Sequence, residues 1–275
     1  MNEAVAALNK AGDACPASLE AASQVLAVAE AMDEQYLLRR SLSEPNATAD
    51  QISHLVDTLL GPTLSADVVE VVRAGAHQSW PSADALALAI RDQAVRLAWR
   101  NAVDKGRVEQ ARLQVLDLID LITQDSALST AIGDTSRSMA DRTILVDALA
   151  KQAEPVVALL CRSAVSDERG SFTANLSSAL DSLASLRGHQ RARITTAIAM
   201  TQKQASAMQT QLSRIYARPV DLETLVDPRV IGGVRADIGG DIIDGSVRAR
   251  LDTAREQLQD VRIEALAASE ENEHA

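Results

Sequence analysis

The sequence predicts a mainly α protein: an N-terminal helical bundle with a duplicated helical unit, then a small α/β C-terminal domain with short strands and a final helix. Three observations carry this prediction. Between Ser18 and Val103 apolar residues recur at three- and four-residue spacing. Five of the chain's twelve glycines crowd into one stretch, VDPRVIGGVRADIGGDIIDGS, from Val226 to Ser246. Helices and breaks also recur in the same order at an offset of ninety residues.

From the N-terminus, Val25, Val28, Ala29, Met32 and Tyr36 share one face of a helix expected over Ser18 to Leu42, which Glu44-Pro45-Asn46 stops. A second helix is expected from Ala49 to Leu60, closed by Gly61-Pro62. A third, Ser65 to Ala76, turns Val68, Val71 and Val72 inward. After the turn Ser79-Trp80-Pro81-Ser82, a long helix runs from Asp84 to Val103 and ends at Lys105-Gly106. Val25 to Pro45 then sets against Val115 to Thr135, and Leu55-Val56-Asp57 against Leu145-Val146-Asp147, both without a gap. This reads as a duplicated unit or as one helical array with a common period.

Asp181 to Ala217 is expected as a further long polar helix, with an interruption at Arg187-Gly188-His189. After Pro219 the period changes. Strands are expected at Pro219 to Val226, Val230 to Ile238 and Asp241 to Ile243, the last two joined by Gly239-Gly240. Asp244-Gly245-Ser246 ends in a cap for a helix from Val247 to Leu258, and the acidic tail frays. The domains are therefore 1–106, 107–185, 186–260 and a tail, 261–275.

Composition narrows the function. A net charge of −11 speaks against nucleic acid as a partner, because phosphate neutralisation needs a basic face. Only four lysines occur, so arginine carries most of the positive charge, which suits contacts between proteins. Cys15 and Cys161 form no CxxC pair, and a reducing cytosolic compartment is the simpler expectation. The start MNEAVAALNK has no signal-peptide pattern, and the apolar run around Val156 to Cys161 is far short of the ~20 residues that span a bilayer. No membrane insertion is expected.

The chemistry-bearing motifs fail one after another. No lysine follows a glycine, so no Walker loop can reach a terminal phosphate. The glycine spacing of Gly240 to Gly245 is suitable, but Asp241 and Asp244 would set carboxylates against phosphate. GGVRADIGG leads into another extended segment rather than the helix of a dinucleotide fold, and Asp237, Asp241 and Asp244 lack EF-hand spacing. His54, His77, His189 and His274 are scattered, with no zinc spacing, and no serine-nucleophile motif occurs. No catalytic, cofactor-binding or metal-binding residue is expected. Paired acids such as Asp33-Glu34 read as solvated helix surface, Arg39-Arg40 complements a helix C-terminus, and Trp80 and Trp99 read as core anchors. Arg187, Arg191 and Arg193 form the one basic cluster, read as a solvated helix segment or as a site for an acidic protein partner.

The glycine-rich stretch carries a resemblance. Val226-Asp227-Pro228, Ile231-Gly232-Gly233, Ile243-Asp244-Gly245-Ser246, Arg248 and Leu251 resemble the C-terminal signature of the F-type ATP synthase delta subunit family, which includes the mitochondrial oligomycin-sensitivity-conferring protein. Thr201, Gln204, Leu212 and Tyr216 are spaced as in that family's long helix, so the resemblance covers about the last seventy residues. Arg218-Pro219 stands where a glycine and a basic residue are usual, and Gly239-Gly240-Asp241 where one glycine is usual. The chain also exceeds the common bacterial length by about one repeat, as the long form of high-GC Gram-positive bacteria does.

The resemblance implies a non-catalytic peripheral-stalk subunit without cofactor, at the cytoplasmic face of the cell membrane. Its bundle would hold the N-terminal segments of alpha subunits on the alpha–beta catalytic head, and its C-terminal domain would grip the b subunit. Asp227, Pro228, Gly232, Gly233, Asp244, Gly245 and Ser246 would shape turns, with Val247, Arg248, Leu251 and Leu258 packing inside the domain or meeting the b subunit. The rival expectations are an unrelated acidic helical adaptor and a phosphate-dependent enzyme using the glycine stretch.

Overall fold

The computed structural model describes residues 3–44, 46–227, 230, 232–239 and 241–245. In these residues it has the helices α1 (Glu3–Ala14), α2 (Leu19–Glu34), α3 (Tyr36–Leu42), α4 (Ala49–Leu59), α5 (Ala66–Ala76), α6 (Ala83–Asp104), α7 (Val108–Gln124), α8 (Ser126–Gly133), α9 (Met139–Leu149), α10 (Pro155–Ser166), α11 (Phe172–Leu186) and α12 (Gln202–Ile215). The strands are β1 (Gln190–Thr196), β2 (Val220–Val226), β3 (Val234–Ile238) and β4 (Asp241–Asp244). The predicted fold class holds: mainly α, with a small sheet towards the C-terminus. The chain divides into two compact units, Met1–Leu183 and Ala184–Ala275. The expected final helix, Val247 to Leu258, and the acidic tail lie outside the described residues.

The helical unit is built twice from one plan. Moving Ala49–Leu59 by ninety residues gives Met139–Leu149, the limits of α9. The repeated features are physical and go beyond sequence likeness. Val25, Met32 and Val56 have their counterparts in Val115, Ile122 and Val146, and all six are buried. The Ser65 N–H donates to Gln24 Oε1 over 2.9 Å, and the Glu154 N–H to Gln114 Oε1 over 2.8 Å, so the same glutamine satisfies the entry to α5 and to α10. Asp57 pairs with Arg73 between α4 and α5, as Asp147 pairs with Arg162 between α9 and α10.

The joint between the copies is a shared helix. α1 packs on α5 and α6, and α6 packs on α10. Ninety residues beyond α1 lies the C-terminal half of α6, with Ala98 in the place of Leu8, both fully buried. The 22-residue α6 therefore ends one copy and begins the next. Its Trp99 is fully buried and donates its indole N–H to the Ala179 carbonyl at 2.7 Å, as expected of a core anchor. Trp80 is only half-buried, with its N–H on the Gly75 carbonyl at 2.8 Å.

Two expectations fail here. The helix expected over Ser18 to Leu42 breaks at Gln35, where φ −113° and ψ 94° leave the helical region. Asp125 breaks the second copy at the equivalent point, with φ −105° and ψ 97°. The break turns Tyr36, assigned to the buried face, out to 59% exposure. Arg39 folds back to donate to the freed Met32 and Asp33 carbonyls, at 3.1 and 3.3 Å.

The helix expected over Asp181 to Ala217 also fails, because β1 lies inside it. Gly188, at φ +68°, stops α11, and the His189 N–H closes onto the Ala184 carbonyl at 2.8 Å. The chain then runs as β1, with Ala192 and Ile194 fully buried at alternate positions. β1 sits at the centre of the sheet, whose order is β2-β1-β3-β4. It pairs parallel with β2, from Gln190 opposite Val220 to Thr196 opposite Val226, with α12 as the crossover. β3 is antiparallel to β1 and to β4, and Gly239, just beyond β3, takes φ +62°. Leu212 of α12 completes a core with Ala192, Ile194, Val220 and Ile238.

Candidate functional site

The predicted turn residues are placed as follows. The Asp227 N–H donates to the Thr196 carbonyl at 2.9 Å, fastening the end of β2 to the end of β1. Gly232 and Gly233 follow at φ +64° and +81°, in the left-handed region that a residue with a Cβ resists, and deliver the chain into β3. Asp244, expected in a turn, is instead the last residue of β4 and stands opposite Arg235, because the ladder runs one residue further than expected; the Gly245 N–H returns to the Val234 carbonyl at 2.9 Å. These glycines shape turns between strands, and none opens a helix of the described residues onto a phosphate. Pro228, Ser246, Val247, Arg248, Leu251 and Leu258 lie outside the described residues.

The family-spaced residues upstream have plain physical reasons. Thr201 and Gln204 form a reciprocal capping box at the start of α12. Leu212 is core, and Tyr216 packs against that core. The Gln209 side chain donates to the Val220 carbonyl at 2.6 Å, tying α12 to the start of β2. Ala217 takes φ +51° just after the helix, where a glycine would be unstrained.

The basic cluster reads differently in the structure. Arg191 and Arg193 lie on β1, not on a helix. Arg191 is buried and holds Glu223 through two hydrogen bonds of 2.7 Å, while His189 meets Asp221 at 2.9 Å. Arg191 is thus a partner inside the domain, not a solvated side chain or a contact for an acidic protein. No local signal marks this pairing, because it depends on a strand register between distant segments.

The surface that sequence reasoning missed is α7. It buries only Ala111, Val115 and Ile122, although nine of the seventeen residues in its sequence, VEQARLQVLDLIDLITQ, are apolar. Leu113 and Leu121 are half or nearly half exposed, at 52% and 49%, and Leu116, Leu118 and Ile119 are only partly covered. In the first copy the residues equivalent to Leu116, Leu118 and Ile119 are Leu26, Val28 and Ala29, all buried. The apolar stripe of a helix is normally covered by a neighbouring element. The signal was present in LDLIDLI, where leucines occur too often for one buried stripe.

The titratable groups with shifted behaviour are structural. Burial pushes the Cys161 thiol up to about 12 and raises that of Cys15; both are free, buried cysteines. Asp92 is reached by solvent, yet it lines a cleft of about 260 Å³ with Leu88, Val95 and Leu160. This crowding pushes its carboxyl up to about 6, against the opposing charge of Arg169. Among the described residues no group of three or more His, Cys, Asp and Glu side chains could hold a metal ion.

The described residues thus form a repeated helical body, with the leucines of α7 only partly covered, and a small mixed sheet. Residues 98–258, more than half of the chain, match the family model of the ATP synthase delta (OSCP) subunit. The chain belongs to that family, whose members are components of the ATP synthase peripheral stalk. It is similar to the ATP synthase subunit delta of Cutibacterium acnes, 32% identical over 91% of this chain and 96% of that protein. The ATP synthase subunit delta of Nocardioides sp. is 34% identical over 80% of each chain, and that of Streptomyces coelicolor 28% identical over 86% of this chain and 87% of that one. The family model begins inside the shared helix α6, so it takes in the second helical copy and leaves out the first. The relatives are matched over most of their own length, so they share the long form.

Proposed function

We propose that this chain is the non-catalytic link of the stator, joining the catalytic head to the b subunit at the cytoplasmic face of the membrane. The observation that carries the reading is the family match, which runs through both the second helical copy and the small sheet domain. On this reading residues 1–106 and 107–185 are the two helical copies, 186–260 the b-binding domain and 261–275 a tail. The head contact, made by an alpha-subunit segment, falls on α7, whose uncovered leucines suit an amphipathic helix laid along them. The b contact falls to the sheet domain, with Val247, Arg248, Leu251 and Leu258 as the residues assigned to it.

A stator link must resist torque, and this requires slow dissociation. Two attachments on one chain raise the effective concentration of each. No described helix is long and apolar enough to cross a membrane, so the membrane association assigned here is peripheral, through partners. An unrelated acidic adaptor has no reason to carry the VDP…IGG…IDGS series.

The test is a Leu113→Asp/Leu121→Asp variant, assayed for binding to ATP synthase heads stripped of this subunit. Both side chains are about half exposed, so the helical circular dichroism signal is expected to hold while head affinity falls at least a hundredfold. Unchanged head binding would remove α7 from the interface, and failure of the wild-type chain to bind heads would remove the stator reading.

A further inference from the structure

We propose that the outer face of α12 is the seat of the chain's own acidic segment, Glu264 to Glu273, which covers it by matching its charge. Both belong to the second compact unit, and the inference does not rest on the stator reading.

The sequence separates its charges. From Ser182 to Val220 it has six Arg or Lys and no Asp or Glu, the longest stretch without an acid in a chain of net charge −11. From Ile263 to Ala275 the order reverses, with four glutamates, Glu264, Glu270, Glu271 and Glu273, and no Arg or Lys. Of the basic residues in the first stretch, Arg191 and Arg193 turn to Glu223. Lys203, Arg214 and Arg218 are exposed, and none forms an ion pair with another described residue.

α12 carries two of these cations along one line. Lys203, Ala207, Thr210 and Arg214 fall at i, i+4, i+7 and i+11, all exposed, on the side opposite the core residue Leu212. The two cations stand roughly 16 Å apart at about 1.5 Å per residue, with only the small side chains of Ala207 and Thr210 between them. Lys203 lies in the first turn, where the helix dipole favours an anion, and α12 has no acid in that turn. An acidic segment laid along this line meets Lys203 and the positive end of the dipole on one side and Arg214 on the other.

The tether reaches this face. The Gly245 N–H is held by the Val234 carbonyl, and Val234 packs against the core that α12 completes. Glu270 follows Gly245 by 25 residues, which cover about 37 Å even at the short helical rise, against roughly 21 Å for the whole of α12. Exposed ion pairs are individually weak, but a segment on the same chain meets its seat at an effective concentration on the order of millimolar. A cover of this kind keeps a basic helix off other anionic surfaces.

The experiment attaches a nitroxide to the full chain at Ala268→Cys and reads the paramagnetic broadening of backbone amide signals. Cys15 and Cys161 are buried, so the new thiol takes the label. Broadening is expected along Lys203 to Arg214, and it should fall about fivefold at ~1 M salt, where the screening length is about 3 Å. Lys203→Gln/Arg214→Gln should lower it as much, with the helical circular dichroism signal unchanged. Lys203→Glu/Arg214→Glu should abolish it, and adding Glu270→Lys/Glu271→Lys/Glu273→Lys should restore it. No broadening on α12, broadening indifferent to salt and to the glutamine variant, or failure of the charge exchange to restore it would each overturn the proposal. So would displacement of the segment by phosphatidylserine vesicles at physiological salt, which would make a lipid headgroup the occupant of this face.

Discussion

Arg91→Met tests whether the two helical copies are held together by one buried guanidinium. Arg91 stands on α6 and is 3% exposed. It donates to Asp33 of α2 at 2.6 Å, and to the Ser163 carbonyl and Ser166 hydroxyl of α10 at 3.1 and 2.6 Å, so a single side chain ties the first copy to the second. Methionine keeps the apolar stem and removes the three hydrogen bonds. The contact to Asp33 contributes about 1.5 kcal/mol, at the low end for a charged pair, because Asp33 is 36% exposed and can be rehydrated. The two contacts to α10 add about 1 kcal/mol each. Against these, Arg91 Nε is buried without a partner, and its removal returns about 1 kcal/mol. The expected net loss is about 2–3 kcal/mol. Urea unfolding followed by far-ultraviolet circular dichroism should show a lower midpoint with an unchanged slope. Asp33→Asn in the methionine background should cost little more, because its partner has already gone. A loss under about 1 kcal/mol in the single variant would refute the account, and the joint would then have to rest on apolar packing of α10 against α2 and α6.

Asp92→Asn should stabilise the chain at neutral pH and not in acid. The Asp92 carboxyl titrates near 6 in the folded chain, above its ordinary value of 3.8, so its favourable contribution is full below 3.8 and is lost as pH rises through about 6. The asparagine variant should therefore gain on the order of 1 kcal/mol at pH 7.5, after discounting for solvent access, and nothing at pH 3.5; equal unfolding midpoints at pH 7.5 would contradict this. Gly233→Val forces a β-branched residue to φ +81°, at a cost of about 2 kcal/mol or more. Hydrogen exchange should quicken in β1 to β4 while α2 to α10 keep their protection, and b-subunit binding should loosen; unchanged b-subunit binding would refute the role given to this turn.

The sequence by itself determined the helical body, because its signals are local. The spacing of Val68, Val71 and Val72, the breaks at Gly61-Pro62 and Gly106, and the caps at Thr48 and Ser138 each act within one or two turns of chain. The glycine-rich stretch is legible for the same reason: a residue at positive φ is a local demand, and Gly232 and Gly233 meet it. The place of Arg191 answers to no local demand of this kind. Its partner, Glu223, lies 32 residues away and meets it only through the parallel register of β1 and β2. β1 is hidden in the sequence because Ala192 and Ile194 are the two apolar positions among its seven residues, too few to set a period, and a neighbouring strand on each side fixes it as a strand.

The duplication divides in the same way. Its ninety-residue period is visible in order and breaks, but the fate of equivalent residues is not. Leu26 and Leu116 occupy the same place in the two copies, yet one is buried and the other only partly covered. α2 lies against α3, α5, α6 and α10, the last of these belonging to the second copy, so burial there is a property of the assembled copies. Sequence can specify which face of a helix is apolar; which neighbour arrives to cover it is decided by contacts between distant parts of the chain.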